Sequence, residues 1–369
     1  MTTQPAFVDL VQDRIDEVMR KGHADVSAIG RDAESLSTVA GSFTKGGKRF
    51  RARLAYWGWR AAVTYGDPVV DADTHPQVST VASLAAGLEL FHAAALVHDD
   101  IIDNSDTRRG TPAAHRQFET VHTERRFVGD PELYGRSSAI LLGDLLLAWA
   151  DDQFLSVGLA LDELNRNEFR TELRTMRTDV TVGQFLDNHD SSAWQTIGDD
   201  VAVERAQRVV IYKSAKYSVE APIALGAIVG GAAPALVSAL RAFALPLGFA
   251  FQMRDDLLGV FGDSAVTGKP AGDDLREGKR TVLLALARRH ADRSTINILD
   301  ELIGDPSLDD DQIAMLRATL TDTGAVDGVE DLISRSRERS LRALDELALD
   351  PAVDRELRGL VDAVTNRTE

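Results

Sequence analysis

The chain has 369 residues, no cysteine, and 58 acidic against 41 basic side chains, giving a formal net charge of -17. Without a thiol it cannot be a disulfide-stapled module or hold a thiolate metal site. So acidic a surface repels nucleic acid and anionic lipid, and an anionic ligand must be caught by a local basic cluster or through a bridging cation. With 44% hydrophobic and 27% charged residues, the composition is that of a globular protein with a large core rather than a disordered acidic chain.

The opening MTTQPAFVD has no basic start, apolar run or small-residue cleavage site of the secretory kind, so a cytoplasmic protein is expected. Apolar residues then recur at three- and four-residue spacing, as in Phe7, Leu10, Val11, Ile15 and Val18, and later in Leu141, Leu142, Leu145, Leu146 and Trp149. That spacing is the period of an amphipathic helix. Turn residues punctuate it at Gly66-Asp67-Pro68, Thr107–Pro112, Gly129-Asp130-Pro131, 187–200, 230–234 and 262–274. Strand-type alternation, fixed-period repeats and low-complexity linkers are all missing from the sequence. The expectation is a single all-α domain over 1–369, built from helices about 15 to 25 residues long.

In chain order, the first segment with chemical content is Lys48-Arg49-Phe50-Arg51, directly after Gly46-Gly47. Next comes ELFHAAALVHDDIIDNSDTRRG, residues 89–110. On a helix Asp99 and Asp103 share a face one turn apart, Asp100 lies beside them, and His92 sits two turns earlier on nearly the same azimuth. Carboxylates so crowded repel by about a few kcal/mol at an effective dielectric near 20, which a divalent cation would offset. Oxygen ligands of this kind suit magnesium, held by one or two carboxylates with water and substrate phosphate completing its shell. A solvated acidic helix end is the competing reading of this triplet taken alone. Arg108-Arg109-Gly110 follows at once.

Lys213 lies in YKSAKY, beside Ser214. Residues 221–240, APIALGAIVGGAAPALVSAL, carry no charge over the length of about twenty residues that a membrane span needs. Gly230-Gly231 and the prolines at 222 and 234 instead predict one buried helix ending and another beginning. GFAFQMRDDLLGVFGD, residues 248–263, repeats the acidic pattern on an apolar helix, with Gln252, Asp255 and Asp256 on one face. Lys269 and Lys279 follow near glycine and proline, and the closing LISRSRERSLRALDELALD predicts a solvated amphipathic helix. Guanidinium forks and ammonium charges match phosphate oxygens. Each basic cluster alone reads as a solvated charge run. Combined with two carboxylate patches in an acidic chain, the set describes a site for two highly anionic substrates, one held through metal and one by basic side chains.

Over about residues 40–345 the sequence resembles the trans-isoprenyl diphosphate synthases, or polyprenyl synthetases, and within them the geranylgeranyl diphosphate synthases. HDDIID with its trailing RRG looks like the family's first aspartate-rich motif and FQMRDDLLGVFGD like the second. GGKRFR resembles the glycine-lysine-arginine motif, VGQFLD the central GQxxD element, YKSAKY the lysine-threonine site and GKPAGDDLREGKRT the C-terminal lysine loop. Two departures stand out: Gly259 in place of the second motif's last aspartate, and Ser214 in place of the usual threonine.

The resemblance implies an isoprenoid-synthase-type bundle of about a dozen antiparallel helices around a central apolar cavity, assembled as a homodimer, with both motifs at the cavity mouth. It implies a magnesium-dependent condensation of isopentenyl diphosphate with an allylic diphosphate (dimethylallyl, geranyl or farnesyl), with about three Mg2+ ions per site and Mn2+ as a substitute. Asp99, Asp103 and Asp255 would bind metal, with Asp100 and Asp256 in support. Arg108, Lys213 and Lys269 would contact the allylic diphosphate, Lys48, Arg51, His92 and Arg109 the isopentenyl diphosphate, and Gln252 and Ser214 would line the space between. Neither nucleic acid nor a membrane span is expected.

Product length is read from the wall of the helix leading to Asp99. Ala95 and Ala94 lie one turn down, where the family's fifteen-carbon synthases carry bulky aromatics, and Phe91 lies a further turn down as a floor. This spacing predicts the twenty-carbon geranylgeranyl product, with farnesyl or longer chains as alternatives. A terpene cyclase would not need basic clusters for a second diphosphate, and a noncatalytic helical subunit would not keep both acidic patches.

Overall fold

The computed structural model describes residues 4–66, 74–108, 110–262 and 272–366. They form helices with almost no sheet, as the periodicity predicts. The helices are α1 (Gln4–Ile29), α2 (Glu34–Thr44), α3 (Phe50–Val63), α4 (Val78–Ile102), α5 (Ala114–Glu124), α6 (Pro131–Ala160), α7 (Glu163–Ser192), α8 (Asp199–Val209), α9 (Ala221–Val229) and α10 (Pro234–Phe261). A π-helical segment, Val210–Glu220, joins α8 to α9. Shorter helices follow at Asp273–Arg276, Val282–His290, Arg293–Leu302 and Asp310–Asp322, then Ala325–Asp345 and Pro351–Thr365. The expected amphipathic helix is Ala325–Asp345, but it ends before residue 350 and a further helix, Pro351–Thr365, closes the chain in its place. Among the described residues the only extended pairing is a two-residue hairpin, β1 (Thr107–Arg108) with β2 (Thr111–Pro112).

Several helix starts follow directly from sequence. Asp130 precedes Pro131 at the start of α6, and its side chain accepts from the Glu132 amide at 2.9 Å. Asp309 and Gln312 form a reciprocal capping box, which satisfies two otherwise orphaned amides. The uncharged stretch 221–240 divides as predicted. α9 ends at Val229, Gly231 takes a left-handed φ of 77°, and α10 begins at Pro234.

The chain forms two compact units, each discontinuous in sequence. The first comprises Met1–Glu172 and Pro222–Val237, the second Leu173–Ala221 and Ser238–Glu369. In the first unit α4 packs on α6 and α3, α5 packs on α6, and α1 packs on α2 and α4. Two helical glycines bring α3 and α9 together: a Cβ on Gly58 would lie 2.1 Å from the Ile223 carbonyl oxygen, and one on Gly226 would lie 2.0 Å from that of Ala55. In the second unit Val282–His290 packs on α8 and on Ala325–Asp345. Its core gathers Met253, Leu257, Val260, Leu283, Leu299, Leu316, Val329 and Ile333 around Trp194. Helices α4 and α10 are long and apolar enough to cross a membrane by length and composition, yet 78% and 50% of their apolar stretches are buried within the protein. α4 is a core helix.

Candidate active site

In the first unit the acidic motif closes α4. The helix is buried almost all round, with Leu84, Leu88, Leu90, Ala94 and Val97 at 0% exposure. Glycines set its approach to α6. A Cβ on Gly87 would meet the Phe154 ring at 2.8 Å, and one on Gly143 would meet the His98 ring at 2.1 Å. At its end the Asp103 amide donates to the Asp99 carbonyl at 2.8 Å, so the last turn holds both half-buried carboxylates on one face. A helix C-terminus disfavours negative charge, and three aspartates there need positive partners.

Arg108 is one such partner. It stands on β1, and its Nε donates to Oδ1 of the fully buried Asp100 at 2.8 Å, with a second contact from Nη2; Asp99 Oδ2 lies 3.8 Å from the same guanidinium. The middle aspartate of the motif is therefore an anchor for Arg108. Arg109 lies outside the described residues. Of the chain-length positions, Phe91 and Ala94 are buried and Ala95 is half-buried. His92 is half-buried on the same helix.

The GGKRFR segment turns sharply, with Gly46, Gly47 and Arg49 all at positive φ (69°, 86° and 48°). It leaves Lys48 exposed and places the half-buried Arg51 on the first turn of α3. Arg49 points inward. Only 6% exposed, it donates to Glu89 Oε2 at 3.4 Å, to the Thr44 carbonyl at 2.6 Å and to Gln12, while Glu89 Oε1 also accepts from the Ala52 amide at 3.2 Å. Within this basic run Arg49 holds the loop, a role that a charge pattern alone does not distinguish from ligand binding.

In the second unit Lys213 and Ser214 ride on the π-helical segment, a rare backbone form that clusters at functional sites. Glycines flank it. A Cβ on Gly183 of α7 would lie 2.3 Å from the Lys213 backbone nitrogen, and one on Gly248 of α10 would lie 2.6 Å from the Ala215 carbonyl oxygen. Lys213 Nζ meets Asp187 Oδ2 at 2.5 Å and Lys216 Nζ meets Asp179 Oδ2 at 2.8 Å. The VGQFLD element thus acts through Gly183, which admits the segment, and Asp187, which pairs its lysine. Ser214 is half-buried.

The second acidic motif lies on α10. Ala250, Met253, Leu257 and Val260 form its core-facing stripe, and at the edge of that stripe the Gln252 amide donates to Oδ1 of the buried Asp256 at 2.7 Å. Burial pushes the Asp256 carboxyl up to about 8; the charges of Asp274 and Asp255 act in the same direction, and the Gln252 hydrogen bond and Lys279 oppose them. Asp255 is half-buried, and Arg254 forms a fork on Glu330 at 2.6 and 2.8 Å. Lys279 Nζ reaches Glu277 at 2.7 Å and Asp274 at 3.4 Å. Lys269 lies outside the described residues.

The donor set is chemically suited to magnesium. It offers carboxylate oxygens and no thiolate. Among the described residues no three histidine, aspartate or glutamate side chains converge into a cage. A preformed cage is not how Mg2+ is held, since it keeps several waters and takes one or two carboxylates beside substrate phosphate. Asp99 with Asp103, and Asp255, meet that description.

The sequence model of the polyprenyl synthetase family matches residues 33–320. The chain is 34% identical over 282 residues to a geranylfarnesyl diphosphate synthase of Aeropyrum pernix, covering 76% of this chain and 79% of that protein. It is 36% identical over 279 residues to a geranylgeranyl diphosphate synthase of Mycobacterium tuberculosis, covering 75% and 68%. A crystal structure of geranylgeranyl pyrophosphate synthase from Corynebacterium glutamicum, complexed with isoprenyl diphosphate and magnesium, superposes with a TM-score of 0.89 at 39% identity over 98% of each chain. The helical architecture, the two aspartate motifs and these matches agree, and the chain belongs to the polyprenyl synthetase family of prenyltransferases.

Proposed function

We propose that the protein is a cytoplasmic, magnesium-dependent synthase that adds isopentenyl diphosphate to an allylic diphosphate and makes chiefly geranylgeranyl diphosphate. The observation that carries this reading is the end of α4, where Asp99 and Asp103 share a half-buried face while Arg108 is held beside them by Asp100. Such an end gathers two carboxylates for a metal and a guanidinium for an anion in one place. The names of the Mycobacterium and Corynebacterium proteins support the twenty-carbon product, and that of the Aeropyrum protein supports a longer one as the alternative.

In this reading Asp99, Asp103 and Asp255 hold Mg2+, which supplies positive charge to a departing diphosphate. Arg108, Lys213 and Lys269 bind the allylic diphosphate, with Asp100 and Asp187 orienting the first two. Lys48, Arg51, His92 and Arg109 bind isopentenyl diphosphate. Gln252 fixes Asp256, and Ser214 lies beside Lys213. The apolar wall of α4 at Phe91, Ala94 and Ala95 excludes water, which would otherwise trap the allylic cation as an alcohol.

A homodimer is part of the reading. Leu133, Ile140, Leu141, Leu155 and Leu159 are 47–67% exposed along α6, a run of large apolar side chains that a second copy would cover. The test of function is incubation with labelled isopentenyl diphosphate, each allylic primer and magnesium, followed by chromatography of the dephosphorylated product. Elongation that stops in EDTA is expected; full activity in EDTA, or an absence of elongated product, overturns the assignment.

A further inference from the structure

Two arginines share one indole in the second unit. Trp194 is buried in a single 3-10 turn, Trp194–Thr196, between α7 and α8. The guanidinium carbon of Arg280 stands 4.5 Å from its ring centroid and that of Arg288 4.8 Å. Arg288 is neutralised in place: its Nε donates to Asp199 Oδ1 at 2.9 Å and its Nη1 donates to Asp300, whose Oδ1 also accepts from Trp194 Nε1 at 3.1 Å. Arg280 is held differently. Its Nε and Nη1 are buried with no hydrogen-bond partner among the described residues. Burial pushes its guanidinium down to about 10, with Asp300 opposing and Arg288 acting in the same direction. It therefore remains a cation at neutral pH, stacked on the face of Trp194. A buried cation short of hydrogen bonds is costly where a hydrocarbon chain of similar length would pack.

The place of Arg280 in the chain supplies a reason to keep it. It lies in the connection between the helices Asp273–Arg276 and Val282–His290, directly after Lys279. Lys279 Nζ meets Glu277 at 2.7 Å, and its charge is felt at Asp256 of the second motif. Thr281, on the other side, caps the next helix by accepting from the Leu284 amide at 3.4 Å. Three consecutive residues thus commit one side chain to the motif, one to the indole and one to a helix start. An ammonium on a four-carbon stem is placed only as well as its backbone. The stack of Arg280 on Trp194 fixes that backbone against a residue some eighty positions earlier in the chain.

We propose that Arg280, seated on Trp194, is a positioning residue that fixes the backbone of Lys279 and thereby sets how tightly an allylic diphosphate is captured on this side of the site. The proposal rests on the function proposed above. Its test is steady-state kinetics against each diphosphate, beside thermal unfolding with and without Mg2+ and inorganic diphosphate.

Arg280→Met keeps the length of the side chain and its packing on the indole and removes the charge. It is expected to raise KM for the allylic diphosphate about tenfold with kcat nearly unchanged, the mark of lost binding rather than lost chemistry. KM for isopentenyl diphosphate should stay near wild type. The unfolding temperature without ligand should also stay near wild type, while about tenfold more diphosphate should be needed for the same stabilisation. Arg280→Lys, which keeps a cation over the ring, should recover most of both losses. Trp194→Leu removes the seat and should act as Arg280→Met does, with Trp194→Phe between it and wild type. If Arg280→Met fails to fold, the comparison of Arg280→Lys with Arg280→Gln carries the same test. Unchanged KM and diphosphate stabilisation without the charge, equal rises of KM for both substrates, or a lysine variant no better than the uncharged one overturns the proposal. A wild-type protein that elongates no allylic primer, yet shows the loss and recovery of diphosphate stabilisation, would refute the proposed function and leave the positioning role standing.

Discussion

Asp187 Oδ2 accepts from Lys213 Nζ at 2.5 Å, joining α7 to the π-helical segment, and each side chain is about one-fifth exposed (20% and 21%). A charged pair so placed is screened less than a surface pair, and it pre-orients the ammonium. Asp187→Asn keeps a hydrogen bond and loses the charge; Asp187→Ala loses both. Activity measured as kcat/KM for the allylic diphosphate should fall about tenfold in the first, equivalent to about 1.4 kcal/mol, and further in the second. Equal losses against isopentenyl diphosphate would show that Lys213 does not serve the allylic substrate.

Gly183 is the steric half of the same contact. Its absent side chain would press on backbone at Lys213, 2.3 Å away, and backbone cannot swing aside. Gly183→Ala should destabilise the protein by about 1 to 3 kcal/mol in urea unfolding, as overpacking does. The exposed neighbour Val182 serves as the control, since Val182→Ala should stay within about 0.5 kcal/mol of wild type.

Acid stability should depend on His115, which is fully buried on α5 with neither ring nitrogen hydrogen-bonded among the described residues. Burial, aided by the positive charge of Arg116, lowers its pKa below the ordinary value of 6.5. Below that value the unfolded chain binds a proton that the folded chain refuses. The stability contributed by neutral His115 is thus complete above the unfolded pKa and is lost as the pH falls through the folded one. Urea midpoints measured between about pH 7 and 5 should fall more steeply for wild type than for His115→Asn. Parallel slopes would contradict the assignment.

Chain length separates two neighbouring alanines. Ala94 is 0% exposed, so a phenylalanine there meets packed protein and should cost about 1 to 3 kcal/mol. Ala95 is only half-buried, so the same substitution there displaces less packed protein. Ala95→Phe should therefore shift the product from twenty toward fifteen carbons with stability retained, and Phe91→Ala should shift it toward longer chains, both read by chromatography. A product unchanged in Ala95→Phe would remove this wall from the account of chain length.

Helix boundaries and the two acidic motifs were legible because each rests on local rules. The i, i+4 spacing of Asp99 and Asp103 and the break at Gly230-Gly231 need no tertiary information. What escaped was contributed by partners distant in sequence. Arg49 sits inside a basic run yet differs from Lys48 and Arg51 because Glu89 waits beneath it. Gly183 and Gly248 read as ordinary helix glycines until the π-helical segment is seen between them. Gly259 reads as a defect in a motif, and only the fold brings the Asp274 carboxylate to its place. The π-helical turns of Val210–Glu220 leave no mark in apolar spacing that separates them from α-helix.

The interrupted course of the first unit bears on how the protein is made. α9, every residue of which is buried, locks onto α3 through Gly58 and Gly226, but 48 residues of the second unit, 173–220, are synthesised before it. At ribosomal speed that is a delay of about 2 to 10 seconds. During it the apolar faces of α3 lack their helical partner, so nascent chains should be most vulnerable to chaperone capture and proteolysis before α9 emerges. A fragment truncated near residue 172 should share that vulnerability permanently.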